Sequence, residues 1–262
     1  MLRHIDAHIH LDKYESGIQH AMLSELEDCG ILGVVAVSMN LASCRDNHRL
    51  QLRFPRQVFP AYGFHPEQEL IAEEELDQLF AWIRAHQDGM AAVGEVGLPY
   101  YERKQAEAEG RGFELDPYIR LLDRFIALAA ELKKPVVLHA VYEDAKTACD
   151  LLEKHNVRNA HFHWFKGDEE TVRRMAQNGY YVSFTPDIAY EAEIRELAAR
   201  YPLEQMMAET DGPWPFEGPF QGRQTHPRMI SSVVGEIAGI KGISEKAAAE
   251  TILQNTKRFY HI

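Results

Sequence analysis

Two histidines separated by one residue, His8 and His10 in "DAHIH", are the first side chains in this sequence with the types and spacing to do chemistry. Further along, His65, Glu95, His139, His163 and Asp211 each close a β-rich run, in "VFPAYGFHP", "AAVGEVGL", "PVVLHA", "NAHFHWF" and "QMMAETDGP". Imidazole nitrogens mixed with carboxylate oxygens form a ligand set for divalent zinc, magnesium, manganese, iron or nickel, and the residue types alone do not choose among these ions. Two such ions about 3.5 to 4 Å apart lower the pKa of a shared water and clamp the attacked and leaving oxygens of an ester, so the expected reaction is hydrolysis. A carboxylate between two metals can give one oxygen to each, and Glu95 is placed for that.

Distant residues can meet at one centre only if the fold brings them there. Short β-rich runs alternate with longer amphipathic ones, the pattern of parallel strands joined by helical crossovers. The remaining strand candidates are "RHIDAHIH", "GVVAVSM" and "YYVSFTP", which makes eight. Helical periodicity is clear in "GIQHAMLSELEDCG", "EEELDQLFAWIRAHQ", "LDPYIRLLDRFIALAAELKK" and "DEETVRRMAQNG", and two closing helices follow the eighth strand in "THPRMISSVVGEIAGIKG" and "SEKAAAETILQNTKRFY". No internal repeat or linker interrupts the chain, so residues 1–262 are expected to form one domain, an α/β fold of the (β/α)8 TIM-barrel type with its site at the C-terminal ends of the strands. Side chains alternate along a strand, which puts Asp6, His8 and His10 on one face, toward the barrel mouth. A single histidine at a strand end is usually a satisfied structural residue. Five of them converging with two carboxylates would be costly to bury unless they bind something.

The same segments, taken in order, resemble a known family. "DAHIHLD", "YGFHPE", "VGEVGL", "KPVVLHA", "HFHWFKG", "AETDGP" and "QNTKRFY" are similar to the ordered motifs of the TatD-type metal-dependent hydrolases, within the wider amidohydrolase-like barrels. The resemblance implies one metal held by His8, His10, Glu95 and Asp211, and a second held by Glu95, His139 and His163. It also implies that His65 faces the substrate. Because the family includes deoxyribonucleases, phosphodiester hydrolysis becomes the leading expectation, with Glu95 and Asp211 as catalytic residues, Asp211 as general base, and Lys166 beside His65 at the phosphoryl oxygens. Four departures fall on groups that would touch substrate: Pro99 replaces an active-face aspartate, Glu67 replaces a histidine, and Phe220 and Gln221 stand where a phosphate-binding histidine and arginine are expected. Arg223 is the candidate to take over part of that role. The alternative is hydrolysis of a small amide, lactone or nucleobase. Binuclear enzymes of that class commonly use a carbamylated lysine as the bridge, and no lysine stands at the end of the fourth strand. A non-catalytic metal-binding barrel fits the retained Asp211 poorly.

Composition narrows the partners. The net charge is −12, opposite to the basic surface of a protein that grips many phosphates, so the expected substrate is a small phosphodiester or the end of a single DNA strand. Arg45, Arg49, Arg53 and Arg56 are interleaved with Asp46 and read as a solvated face. Aromatic residues near the motifs (Trp164, Phe165, Tyr100, Tyr101, Trp214 and Phe216) suit either base stacking or packing of the barrel rim. The three cysteines, Cys29, Cys44 and Cys149, are odd in number and far apart, which argues against a disulfide framework. No apolar run approaches the length of about 18 residues that reads as a membrane span, and no signal-peptide pattern is evident, so a cytoplasmic location is expected. The oligomeric state is not legible.

Overall fold

The computed structural model describes residues 2–262. Its eight strands are β1 (His4–Ile9), β2 (Ile31–Ala36), β3 (Val58–Tyr62), β4 (Ala92–Gly97), β5 (Val136–His139), β6 (Ala160–Phe162), β7 (Tyr181–Phe184) and β8 (Met206–Ala208). Each pairs in parallel with its neighbour in sequence, giving the order β1-β2-β3-β4-β5-β6-β7-β8. Backbone bonds beyond the end of β8 bring the two edges together: Asp211 N–H donates to His8 O at 3.0 Å, and His10 N–H donates to Gly212 O at 2.8 Å. The expected (β/α)8 barrel is the observed architecture, and the closing bonds already set Asp211 against the two histidines of β1.

Among the described residues ten α-helices surround the sheet: α1 (Ser16–Glu25), α2 (Leu41–Arg53), α3 (Glu73–Ala85), α4 (Tyr100–Ala108), α5 (Asp116–Leu132), α6 (Asp144–Lys154), α7 (Glu169–Asn178), α8 (Ala192–Arg200), α9 (Ile230–Lys241) and α10 (Glu245–Tyr260). The longest, α5, buries Leu121, Leu122, Phe125, Ile126, Leu128 and Ala129 along one stripe. Each large apolar side chain fully removed from water there contributes about 1.5 to 3 kcal/mol. Its ends follow local chemistry, with a proline in the first turn and Lys133 in the left-handed region at the C-cap. On α7 the Asp168 carboxylate accepts from Thr171 N–H at 3.0 Å, which stops the helix fraying backwards toward the site. The four arginines read as a solvated face are exposed on α2 and the loop after it.

The barrel interior is closed by α10. Val35, Ala61, Val137 and Met207 are small enough or flexible enough to admit the rings of Phe259 and Tyr260. Tyr260 Oη donates to Ala7 O at 3.2 Å and lies 2.7 Å from His161 Nδ1, while His161 Nε2 lies 2.5 Å from Ser183 Oγ. With both nitrogens bonded, His161 is a satisfied interior residue, which leaves the strand-end histidines to the mouth. A side chain at Gly63 would put its Cβ 2.7 Å from Glu95 O, so glycine permits the close approach of the chain after β3 to the strand that carries Glu95. All three cysteines are free. Among the described residues no helix is long and apolar enough to cross a membrane.

Candidate metal centre

The strands are shorter than the apolar runs suggest, and the difference matters for chemistry. His8 and Glu95 lie within strands and His139 ends β5, whereas His10, His65, His163 and Asp211 stand just beyond strand ends. The chain leaves the sheet there, so these side chains can turn across the mouth instead of continuing the alternation. Asp211 does so in the left-handed region, with φ of 46°, a conformation aspartate tolerates better than most residues. Below it, Asp6 holds the turn in place, accepting from Thr210 N–H at 3.0 Å, from Thr210 Oγ1 at 2.5 Å and from His8 N–H at 3.2 Å.

The Glu95 side chain is fully buried and its two oxygens face different partners. Oε2 lies 3.1 Å from His8 Nε2 and 3.3 Å from His10 Nε2; those nitrogens lie 3.4 and 3.5 Å from Asp211 Oδ1. Oε1 lies 2.7 Å from His163 Nε2 and 3.1 Å from His139 Nδ1, which are themselves 3.2 Å apart. Ligand atoms of His8, His10 and Asp211 fall within 4.8 Å of one another, as do those of His8, Glu95 and His163 and those of His10, His65 and Glu95. His8 Nε2, Glu95 Oε2 and Asp211 Oδ1 are buried without a hydrogen-bond partner. Unpaired polar atoms of this kind are rare in a folded interior, and three that face one space, nitrogen and oxygen together, fit a divalent cation.

The electrostatics agree with that fit. Burial pushes the Glu95 carboxyl up, but His163 and the other imidazoles around it hold it well below the usual carboxylate range. Burial likewise raises Asp211, and the His8 imidazole beside it leads the opposing effects that keep it low. Both carboxylates are therefore ionised and available to a cation. His65 differs: burial lowers it to about 4, so it is neutral. Its Nδ1 accepts from Glu67 N–H at 3.1 Å, which places the proton on Nε2, 3.4 Å from Glu95 Oε1. In this form the Nε2 atom is a hydrogen-bond donor and not a metal ligand.

Lys166 and Arg223 are not part of this cluster. The Lys166 ammonium sits 5.6 Å from the centre of the Trp164 ring, and Trp164 Nε1 donates to the buried Asp187 at 2.6 Å. Arg223 lines an open groove of about 750 Å³ with Gln224, His226 and Arg228. Phe220 is buried with Phe216 and Met229 against Trp164, where packing accounts for it. Gln221 is exposed, and Pro99 is the N-cap of α4.

Two contributors escaped the sequence reading. Glu209 is fully buried, accepts from Trp164 N–H at 2.8 Å and has Oε1 3.7 Å from His163 Nδ1, so it backs the imidazole whose other nitrogen meets Glu95. It was visible as the first letter of "ETDGP", but its contact depends on the left-handed turn at Trp164, φ 38°. Glu67, read only as a lost histidine, lies with Oε1 3.1 Å from His139 Nε2.

Comparison with known proteins places the chain. Residues 5–261 match the family model described as TatD related DNase. An uncharacterized metal-dependent hydrolase of Haemophilus influenzae is 38% identical over 258 residues, covering 98% of this chain and 99% of its own. The human deoxyribonuclease TATDN3 is 27% identical over 265 residues, covering 98% of this chain and 94% of its own. Among solved structures, the TatD homologue YJJV of Escherichia coli has a TM-score of 0.86 at 24% identity and covers 100% of this chain and 99% of its own.

Proposed function

The chain belongs to the TatD family of metal-dependent hydrolases, and from that premise we propose that residues 1–262 act as one unit that hydrolyses phosphodiesters at a two-ion centre. The observation that carries this reading is the division of Glu95, one oxygen toward His8 and His10 and the other toward His139 and His163. One ion would be held by His8, His10, Glu95 and Asp211, and the other by Glu95, His139 and His163. Bound there, divalent ions supply a nucleophile at neutral pH and neutralise charge that develops on the substrate.

The remaining work falls to the chain's own groups. Asp211, ionised and fixed by the backbone bond to His8 O, accepts the proton of the attacking water. His65 donates its Nε2 proton to a phosphoryl oxygen, and because it is neutral it adds no charge that would have to be released with product. Lys166 and Arg223 stand further out, where they would meet the flanking phosphates of a chain. With a net charge of −12 and Glu67 at the mouth, the protein offers little to a long duplex, so the preferred substrates are small phosphodiesters and the terminal nucleotides of a single strand. Three unpaired cysteines suit a reducing cytoplasm.

The test is a panel of phosphodiester, phosphomonoester and amide substrates assayed with magnesium, manganese, zinc, iron and nickel in turn, with chelated protein as the blank. Phosphodiester turnover that depends on added ion supports the reading. Amide turnover with no phosphodiester cleavage under any ion would move the function to the small-amide class.

A further inference from the structure

Glu67 is bound on three sides. Its Oε1 accepts from Tyr101 N–H at 2.8 Å and its Oε2 from Glu102 N–H at 2.7 Å, so the carboxylate sits on the first turn of α4, where the helix offers unpaired amides and favours negative charge. The side chain is only 14% exposed. A helix cap alone would account for those two bonds. It does not account for the third, in which the same Oε1 lies 3.1 Å from His139 Nε2.

That third contact decides the form of His139. A carboxylate can only accept, so the ring nitrogen facing Glu67 carries the proton. Nδ1 also faces a carboxylate, 3.1 Å from Glu95 Oε1 with His163 Nε2 at 3.2 Å, but this is the side on which the second ion would sit; an ion held there would take the Nδ1 lone pair, which leaves the single N–H of the neutral imidazole to Glu67. We propose that Glu67 is a positioning residue of the metal centre: anchored on α4 and accepting the Nε2 proton of His139, it presents Nδ1 as the ligand atom and sets the affinity of the ion on the His139–His163 side. The inference rests on the two-ion reading above. It assigns a role to the residue that replaces the family's histidine, and it couples a loop after β3, a helix after β4 and a ligand on β5 through one side chain. His8, His10 and Asp211 make no hydrogen bond or ion pair with Glu67, so an ion held by them would be indifferent to it.

The experiment is a chelator competition with Mn2+ on metal-depleted protein, which resolves stoichiometry and the affinity of each ion. The wild type is measured first, and two ions per chain are expected. A wild type that takes up one ion or none refutes the two-ion reading, and this inference with it. Given two, Glu67→Ala weakens one ion by about 10- to 100-fold and leaves the other unchanged, the range typical of losing a carboxylate behind a ligating histidine. Glu67→Gln, which keeps the shape and one acceptor, shows the same one-sided loss nearer the lower limit and decides the matter if the alanine variant does not fold. Excess Mn2+ restores turnover in both variants with KM for substrate little changed, which a lost helix cap would not produce. Two affinities equal to wild type in either variant, with only a lower unfolding temperature, would reduce Glu67 to a cap and overturn the proposal.

Discussion

Removing Glu95 should abolish metal binding and activity together. The perturbation is severe because the carboxylate has no exposed surface and meets five imidazoles, with nitrogens at 2.7 Å (His163), 3.1 Å (His8 and His139), 3.3 Å (His10) and 3.4 Å (His65). Unit charges at about 4 Å interact by about 4 kcal/mol at the effective dielectric of about 20 that suits partly buried groups, before desolvation is set against it. Glu95→Ala deletes that charge from both halves of the centre at once. Losing a carboxylate that merely supports a ligand costs about 10- to 100-fold in affinity, so losing one shared by two ions should exceed about a hundredfold for each, or about 2.7 kcal/mol. Glu95→Gln controls for volume: its amide can offer oxygen to one side only and turns N–H groups toward nitrogens on the other. Metal content by mass spectrometry after gel filtration, with thermal unfolding of the metal-free proteins to confirm folding, reads the outcome. A folded Glu95→Ala that retains two ions at near wild-type affinity would refute the bridging role.

The other expectations concern single groups and the surface. Asp211→Asn should retain substantial metal while turnover falls at least about a hundredfold, the lower end for removing a general base, and near-normal turnover with metal bound would take Asp211 out of proton transfer. Short single strands should be cut faster than matched duplex, with a shallow dependence on salt because few phosphates are touched; steep salt dependence with faster internal cutting of duplex would show a phosphate-binding surface overlooked in this chain. Asp168→Ala should cost about 1 kcal/mol of stability in urea titrations through loss of the α7 cap. The Thr171 N–H leads the effects that lower Asp168 from 3.8 to about 2, so the cap's contribution is full above pH 3.8 and disappears as pH falls through about 2. The gap between wild type and variant should close over that window, and a gap independent of pH would contradict the assignment.

How much of this was legible in the sequence depended on whether a feature is set by periodicity and order or by where a loop turns. His8, His10, Glu95, His139, His163 and Asp211 could be grouped because a barrel sends the ends of its strands to one face regardless of loop detail. The barrel itself was legible because "PVVLHA" and "YYVSFTP" are nearly continuous apolar runs, as strands covered on both faces must be. For Phe220 the motif order says only where the chain runs, while its burial against Phe216 and Met229 is a property of packing that the order does not carry. Glu67 and Glu209 were unreadable for a related reason. Their contacts to His139 and His163 join loops from different strands, and one of them depends on the positive φ at Trp164, which no residue type announces.

The central claim is a two-ion centre divided by Glu95, and anomalous diffraction from crystals of the protein reconstituted with manganese or zinc tests it most directly. The account predicts two anomalous peaks on opposite sides of the Glu95 carboxylate, one among His8, His10 and Asp211 and the other between His139 and His163. A single peak at full occupancy, or two peaks with Glu95 touching neither, would contradict it.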